Sequence, residues 1–288
     1  MAIALVPIVV IYFVGAVLAL ALFVAIVLTR DPWAILGALF ITASLAVIAV
    51  KHFLDGYALT LRATRARIVD PDDDEHAHLL GLVARVAAAA DLPAPRVALI
   101  HSSAPNSFAT GVSPKRTAIA VTTELLRQLD ERELEAVVAH EIAHISNRDG
   151  AVMTFVSGPA VLGSTMWKDD EWRAKILFLL YLPIYVVGVL LMWTISRYRE
   201  YAADRGAALL TGAPEQLMGA LQKIGGREPR GDLRGGAAVS ALCIVPAQRK
   251  GRFSALRRFE VFMDHPPVDK RLRRLEELAR SLGKPVAA

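Results

Sequence analysis

The chain has 288 residues, 54% of them apolar, and a formal charge of +5, so it has room for one sizeable domain plus several membrane segments and is more apolar than a soluble protein of ordinary composition. In so apolar a chain the excess of Arg and Lys marks loops facing an anionic membrane surface rather than nucleic acid. With a single cysteine, Cys243, an intrachain disulfide and a Cys-rich zinc site are both excluded.

From Ala2 to Leu28 there is no charge, a run longer than the roughly 20 residues that cross a bilayer. Arg30-Asp31-Pro32 breaks it, and Trp33 to Val50 is apolar again, so residues 1–50 are expected to form a transmembrane hairpin. The N-terminus lacks the basic region of a cleaved signal. Arg62, Arg65 and Arg67 follow the second span and put this side in the cytoplasm. Asp70 to Glu75 is acidic and heads a helical pattern (Leu79, Leu80, Leu82, Val83, Val86). Acids there complement the helix dipole. With His76 and His78 they lack the spacing of a calcium loop.

Arg96 to Ile100 reads as a strand, Pro105 to Lys115 as a loop and Thr117 to Thr122 as a second strand. After a helical stretch from Glu124 to Leu129, Asp130 and Glu133 make a capping-box pattern. The helix they open carries Ala139-His140-Glu141-Ile142-Ala143-His144. Ala151 to Met166 is apolar but short and contains Gly158-Pro159. Ile176 to Ile195 has the usual crossing length, and Arg197, Arg199 and Arg205 mark a cytoplasmic flank. Residues 225–236 are rich in Gly and Arg and read as flexible. The basic insert from Gly225 to Arg258 reads as a solvated loop, with contact to anionic lipid as the alternative. A basic helix from Lys270 to Leu282 closes the chain.

His140 and His144 lie four apart on a helix and project from one face, as two ligands to one ion must. Glu141, next to the first, can reach a metal-activated water without binding the metal; this is the division of labour in H-E-x-x-H metalloproteases. A catalytic zinc of this kind wants a third protein ligand. Glu200 is the candidate, and Asp204, one turn on, can accept a hydrogen bond from a ligand histidine. Both ligand sets must lie on one side of the membrane. The stretch between them then crosses an even number of times, which pairs Ala151–Met166 with Ile176–Ile195.

These pieces resemble the HtpX family of membrane zinc endopeptidases, within the wider group that includes the CAAX prenyl proteases. The resemblance rests on the hydrophobic N-terminal hairpin, Pro105-Asn106-Ser107-Phe108-Ala109-Thr110-Gly111, the stretches Ala118–Leu126, Ala139–Asp149 and Ser196–Asp204, and His265-Pro266-Pro267 with Arg271. It implies one Zn2+ per chain held by His140, His144 and Glu200, Glu141 as base, and a role in membrane-protein quality control. It also suggests Asn106, His265 and Arg271 as residues that contact substrate or the transition state. For His265 the rival reading is a helix-entry residue, and for Arg271 a structural pair with an acid.

The expected fold is α+β and mainly α-helical: an integral membrane protein with transmembrane hairpins at 1–50 and 149–196, and a cytoplasmic, zincin-like (gluzincin) catalytic domain built from 51–148 and 197–288 with a small β-sheet. The expected activity is zinc-dependent endoproteolysis at the plasma (inner) membrane, on membrane proteins or unfolded segments. Substrate is expected to add as a strand beside Thr117–Thr122, taken as an edge. Three rivals stand beside this. A site-two-type intramembrane protease conflicts with Glu131, Arg132, Glu133 and Arg148, too polar for a bilayer core. A prenyl-protein protease is expected to have more spans. A catalytically silent membrane scaffold needs neither base nor ligands.

Overall fold

The structure, a computed structural model, describes residues 31–33, 35–37, 39–40, 43, 47, 58, 60–113, 116–153, 156, 172–225 and 266–284. The chain divides into two units, residues 1–56 with 154–192 and residues 57–153 with 193–288.

The second unit is built on a four-stranded sheet of β1 (Arg67–Ile68), β2 (Arg96–Ile100), β3 (Ser107–Ser113) and β4 (Arg116–Thr122), in the order β1-β2-β4-β3. β2 and β4 run parallel, with Val97 opposite Ile119 and Leu99 opposite Val121. β3 and β4 form an antiparallel pair, with Phe108 opposite Ala120. Side chains alternate across a strand, so one face of the sheet presents Val97, Leu99, Ala109, Ile119 and Val121 to the helices, and the other packs Ala98, Ile100, Phe108, Ala118 and Ala120 with Leu61.

Two expectations fail here. Pro105–Lys115 is not a loop, because Ser107–Ser113 pairs along its length with β4. Burying Phe108, 1% exposed, on the far face stabilises that strand by about 2–3 kcal/mol. Its Asn, Gly and Pro punctuation disguises it, and Gly111 (φ 130°) sits at a register shift that an L side chain would strain. Thr117–Thr122 is therefore no edge. It lies between β2 and β3, and the edge strands among the described residues are β1 and β3.

Helix α1 (Ala77–Ala89) buries Leu79, Leu82, Val83, Val86 and Ala87, the one-face spacing of an amphipathic helix. Thr122 caps α2 (Thr123–Gln128) by accepting from the Leu125 N–H. Helix α3 (Glu131–Ser146) starts at the expected capping box. Asp130 accepts from the Glu133 N–H and Glu133 accepts from the Asp130 N–H, both at 3.0 Å. Helix α4 (Trp172–Thr211) ends before Gly212, whose φ of +63° suits the left-handed residue that closes a helix. Helices α5 (Pro214–Gly225) and α6 (Val268–Ser281) follow. α3 lies central, packed on β3, α1 and α5, with α6 against α5.

In the first unit, Trp33, Phe40 and Val47 are exposed, as are Leu179, Leu182, Val186, Val187 and Leu190 of α4. Among the described residues no helix is long and apolar enough to cross a membrane. The expected hairpin at 1–50 lies almost wholly outside the described residues, as do residues 157–171 of the second. The basic insert from 226 onward lies outside them too.

Candidate functional site

Two helices bring the site together. α3 supplies His140, Glu141 and His144, all under 10% exposed, and α4 supplies Glu200 and Asp204, 2% and 3% exposed. They approach closely because Gly206 lies on Ala143. A Cβ on Gly206 would meet the Ala143 Cβ at 2.8 Å, inside van der Waals contact.

Nε2 of His140 and Nε2 of His144 lie 3.1 Å apart. Glu200 Oε2 is 3.7 Å from the first and Glu200 Oε1 3.6 Å from the second. One ligand atom from each of the three residues lies within 4.8 Å of the others. Two donors on a tetrahedral centre with bonds of about 2.05 Å sit roughly 3.3 Å apart, so the spacing suits a metal ion. Two imidazoles and one carboxylate are also the donor set of a catalytic zinc site. The residues fit the metal.

Each histidine is held from behind. His140 Nδ1 lies 3.1 Å from Asp204 Oδ1, an ion-pair contact off the axis of a hydrogen bond. His144 Nδ1 lies 2.6 Å from Asp149 Oδ2. A carboxylate at Nδ1 leaves the Nε2 lone pair for the metal and makes it more basic. Each carboxylate in turn meets a buried arginine. Arg271, 1% exposed, donates from Nη2 and Nε to the two oxygens of Asp204 at 2.6 and 2.8 Å. Arg199 Nε lies 3.3 Å from Asp149 Oδ2.

The charges are strongly coupled. Burial is the largest single influence on His140 and pushes its pKa down, but Asp204 and Glu200 outweigh it and hold the metal-free imidazole at about 9. Burial likewise pushes Asp204 up, and Arg271 and His140 bring it below the usual carboxylate value. Burial opposes the charge on Arg271, and Asp204, Glu200 and Glu141 raise its pKa above the ordinary value.

Glu141 is 1% exposed. Its Oε1 accepts from Ser107 Oγ at 2.7 Å, and its Oε2 has no hydrogen-bond partner among the described residues. A buried carboxylate oxygen left with open lone pairs suits a proton acceptor.

This arrangement is found in a chain whose residues 73–279 match the model of peptidase family M48. The chain belongs to peptidase family M48. As an M48 peptidase it is a metalloprotease. It is 36% identical to Protease HtpX homolog 2 of Methanosarcina acetivorans, over 83% of this chain and 84% of that one. It is 38% identical to Protease HtpX homolog of Moorella thermoacetica, over 80% and 82%. It is also similar to the crystal structure of S. mikatae Ste24p, at 21% identity and a TM-score of 0.46, over 92% of this chain and 63% of that one.

Of the residues singled out in this M48 peptidase, the structure brings together His140, His144, Glu141, Glu200, Asp204 and Arg271. Arg271 meets Asp204 and lies 3.6 Å from Glu200, as a structural pair with an acid would. Asn106 is buried at the start of β3, where its Oδ1 accepts from the Ser107 N–H. His265 lies outside the described residues. Sequence reasoning does not single out Asp149, Arg199 or Ser107 as part of the site, and the structure places them against His144, Asp149 and Glu141. No helical spacing links Asp149 to His144, because Arg148 takes a left-handed turn (φ 56°) just past α3 and brings Asp149 back onto the ring. Arg199 was read as a membrane-flank charge, but it is only 7% exposed and faces Asp149.

Proposed function

We propose that this chain is a membrane-anchored, zinc-dependent endopeptidase that cuts membrane proteins or unfolded segments on the cytoplasmic side, as part of protein quality control. The observation that carries the reading is the convergence of His140, His144 and Glu200 beside the open oxygen of Glu141.

Zinc held by these three residues would supply a Lewis acid for the scissile carbonyl and lower the pKa of a water. Glu141 Oε2 takes the proton as that water attacks the carbonyl carbon, and the C–N bond breaks as Glu141 returns the proton to the leaving nitrogen. Asp204 and Asp149 hold the ligand rings, and Arg271 balances Asp204.

An extended substrate segment pairs along β3. Thr122 N–H donates to the Asn106 carbonyl, so the ladder bonds fall on alternate residues from Asn106 and the main chain of Ala109 faces the open edge. Ala109→Pro removes an outward N–H without breaking the ladder. It should raise KM with zinc content unchanged; an unaltered KM would remove this docking mode.

Membrane anchoring is supported by the exposed leucines and valines of α4 and by the uncharged run from Ala2 to Leu28. The cytoplasmic orientation is supported by exposed Arg62, Arg65, Arg67 and Arg205.

The test is a pair of proteins, wild type and Glu141→Gln, purified in detergent as the full chain. Both should hold about one zinc, and only wild type should cleave an unfolded protein. Two metal-free proteins, or equal cleavage by both, would overturn the reading.

A further inference from the structure

Ser107 stands at the first position of β3, and none of the chemistry read from the sequence uses it. Its hydroxyl donates to Glu141 Oε1 at 2.7 Å, and both residues are 1% exposed. The serine is itself fixed through Asn106, which is tied in turn to Thr122. The Ser107 N–H donates to Asn106 Oδ1 at 2.9 Å. The Asn106 N–H donates to Thr122 Oγ1 at 2.9 Å, and the Thr122 N–H donates to the Asn106 carbonyl at 3.0 Å. The hydroxyl is thereby anchored to the sheet, while Glu141 belongs to α3.

We propose that Ser107 is a positioning residue for the general base, a role that rests on reading Glu141 as that base. A glutamate's terminal torsion is soft and roughly two-fold, so one anchored oxygen is enough to choose its orientation. Ser107 holds Oε1 and leaves Oε2 as the proton acceptor. Because the anchor is a residue of β3, the base keeps its place relative to the strand along which substrate is proposed to lie.

The test is a cycle of four zinc-loaded, full-length proteins in detergent: wild type, S107A, E141Q and S107A/E141Q. Single-turnover cleavage of an internally quenched peptide is followed, with zinc affinity measured by chelator competition. S107A should lower the cleavage step roughly tenfold, the scale of a lost hydrogen bond to a charged group. Peptide affinity and zinc affinity should stay within about twofold of wild type, since the substitution keeps the β3 main chain and removes only the hydroxyl that meets Glu141. On the E141Q background the same substitution should leave the residual rate unchanged, because no base remains to be positioned. An S107A rate equal to wild type overturns the assignment. Equal losses on both backgrounds also overturn it, in favour of a general packing role. If E141Q itself cleaves like wild type, the reading of Glu141 as base fails first and this proposal with it.

Discussion

His140 and His144 turn their Nε2 atoms on one another at 3.1 Å, with the two rings nearly perpendicular at 87°. The opposite nitrogen of each ring faces a carboxylate, Asp204 or Asp149. With a proton on each Nδ1, two lone pairs meet across the gap, an arrangement that a shared cation or proton relieves. Removing the metal should therefore cost stability. At zinc a hundredfold above Kd, chelation should remove about 2.7 kcal/mol and lower Tm accordingly. Thermal unfolding with and without chelator checks this, and His144→Ala should show no chelator response.

The pKa of His140 makes metal binding depend on pH. In the metal-free protein it is raised from 6.5 to about 9. A raised folded-state value contributes stability that is complete below the unfolded pKa and is lost as pH rises through about 9. Zinc must displace that proton. Affinity should therefore climb from pH 6 to pH 9, and uptake at pH 7 should release close to one proton, read by calorimetry in buffers of different ionisation enthalpy.

Arg271 is fully buried against Asp204, and half of such a pair left alone is a buried charge. Arg271→Met should destabilise the zinc-free protein by about 3–5 kcal/mol. Arg271→Lys keeps the charge but not the paired N–H geometry and should fall between. Denaturant unfolding orders the three proteins.

Asp149 holds His144 by the shorter of the two histidine–carboxylate contacts, 2.6 Å against 3.1 Å. Asp149→Asn keeps the shape and removes the charge. Zinc affinity should fall about 10- to 100-fold, measured by competition with a fluorescent chelator. An affinity equal to wild type would make Asp149 a bystander.

Gly206 sets the spacing of α3 and α4. Gly206→Ala forces its new methyl against Ala143, one residue from His144. The expected cost is about 1–3 kcal/mol of stability, as for other overpacked contacts. Zinc affinity should fall as well, because Glu200 moves with α4 while His140 and His144 move with α3. Spectroscopy of a cobalt-loaded protein would report the altered ligand geometry.

The residues of the candidate site were largely legible as a string. His140, Glu141 and His144 lie within one and a half helical turns, and helix geometry alone puts the two histidines on one face. The capping box at Asp130 was readable for the same reason, since it is a contact between residues three apart. What could not be read was every contact made across the fold. The string shows no way to know that Ser107 meets Glu141, because a strand inside an apparent loop must first pair with β4 and lie under α3. Nor does it reveal that Arg199 faces Asp149, since a left-handed turn at Arg148 and the packing of Gly206 on Ala143 decide it. Local spacing is set by backbone geometry and travels with the sequence. The partners of a buried charge are set by which elements share a core, and that is decided only when the core closes.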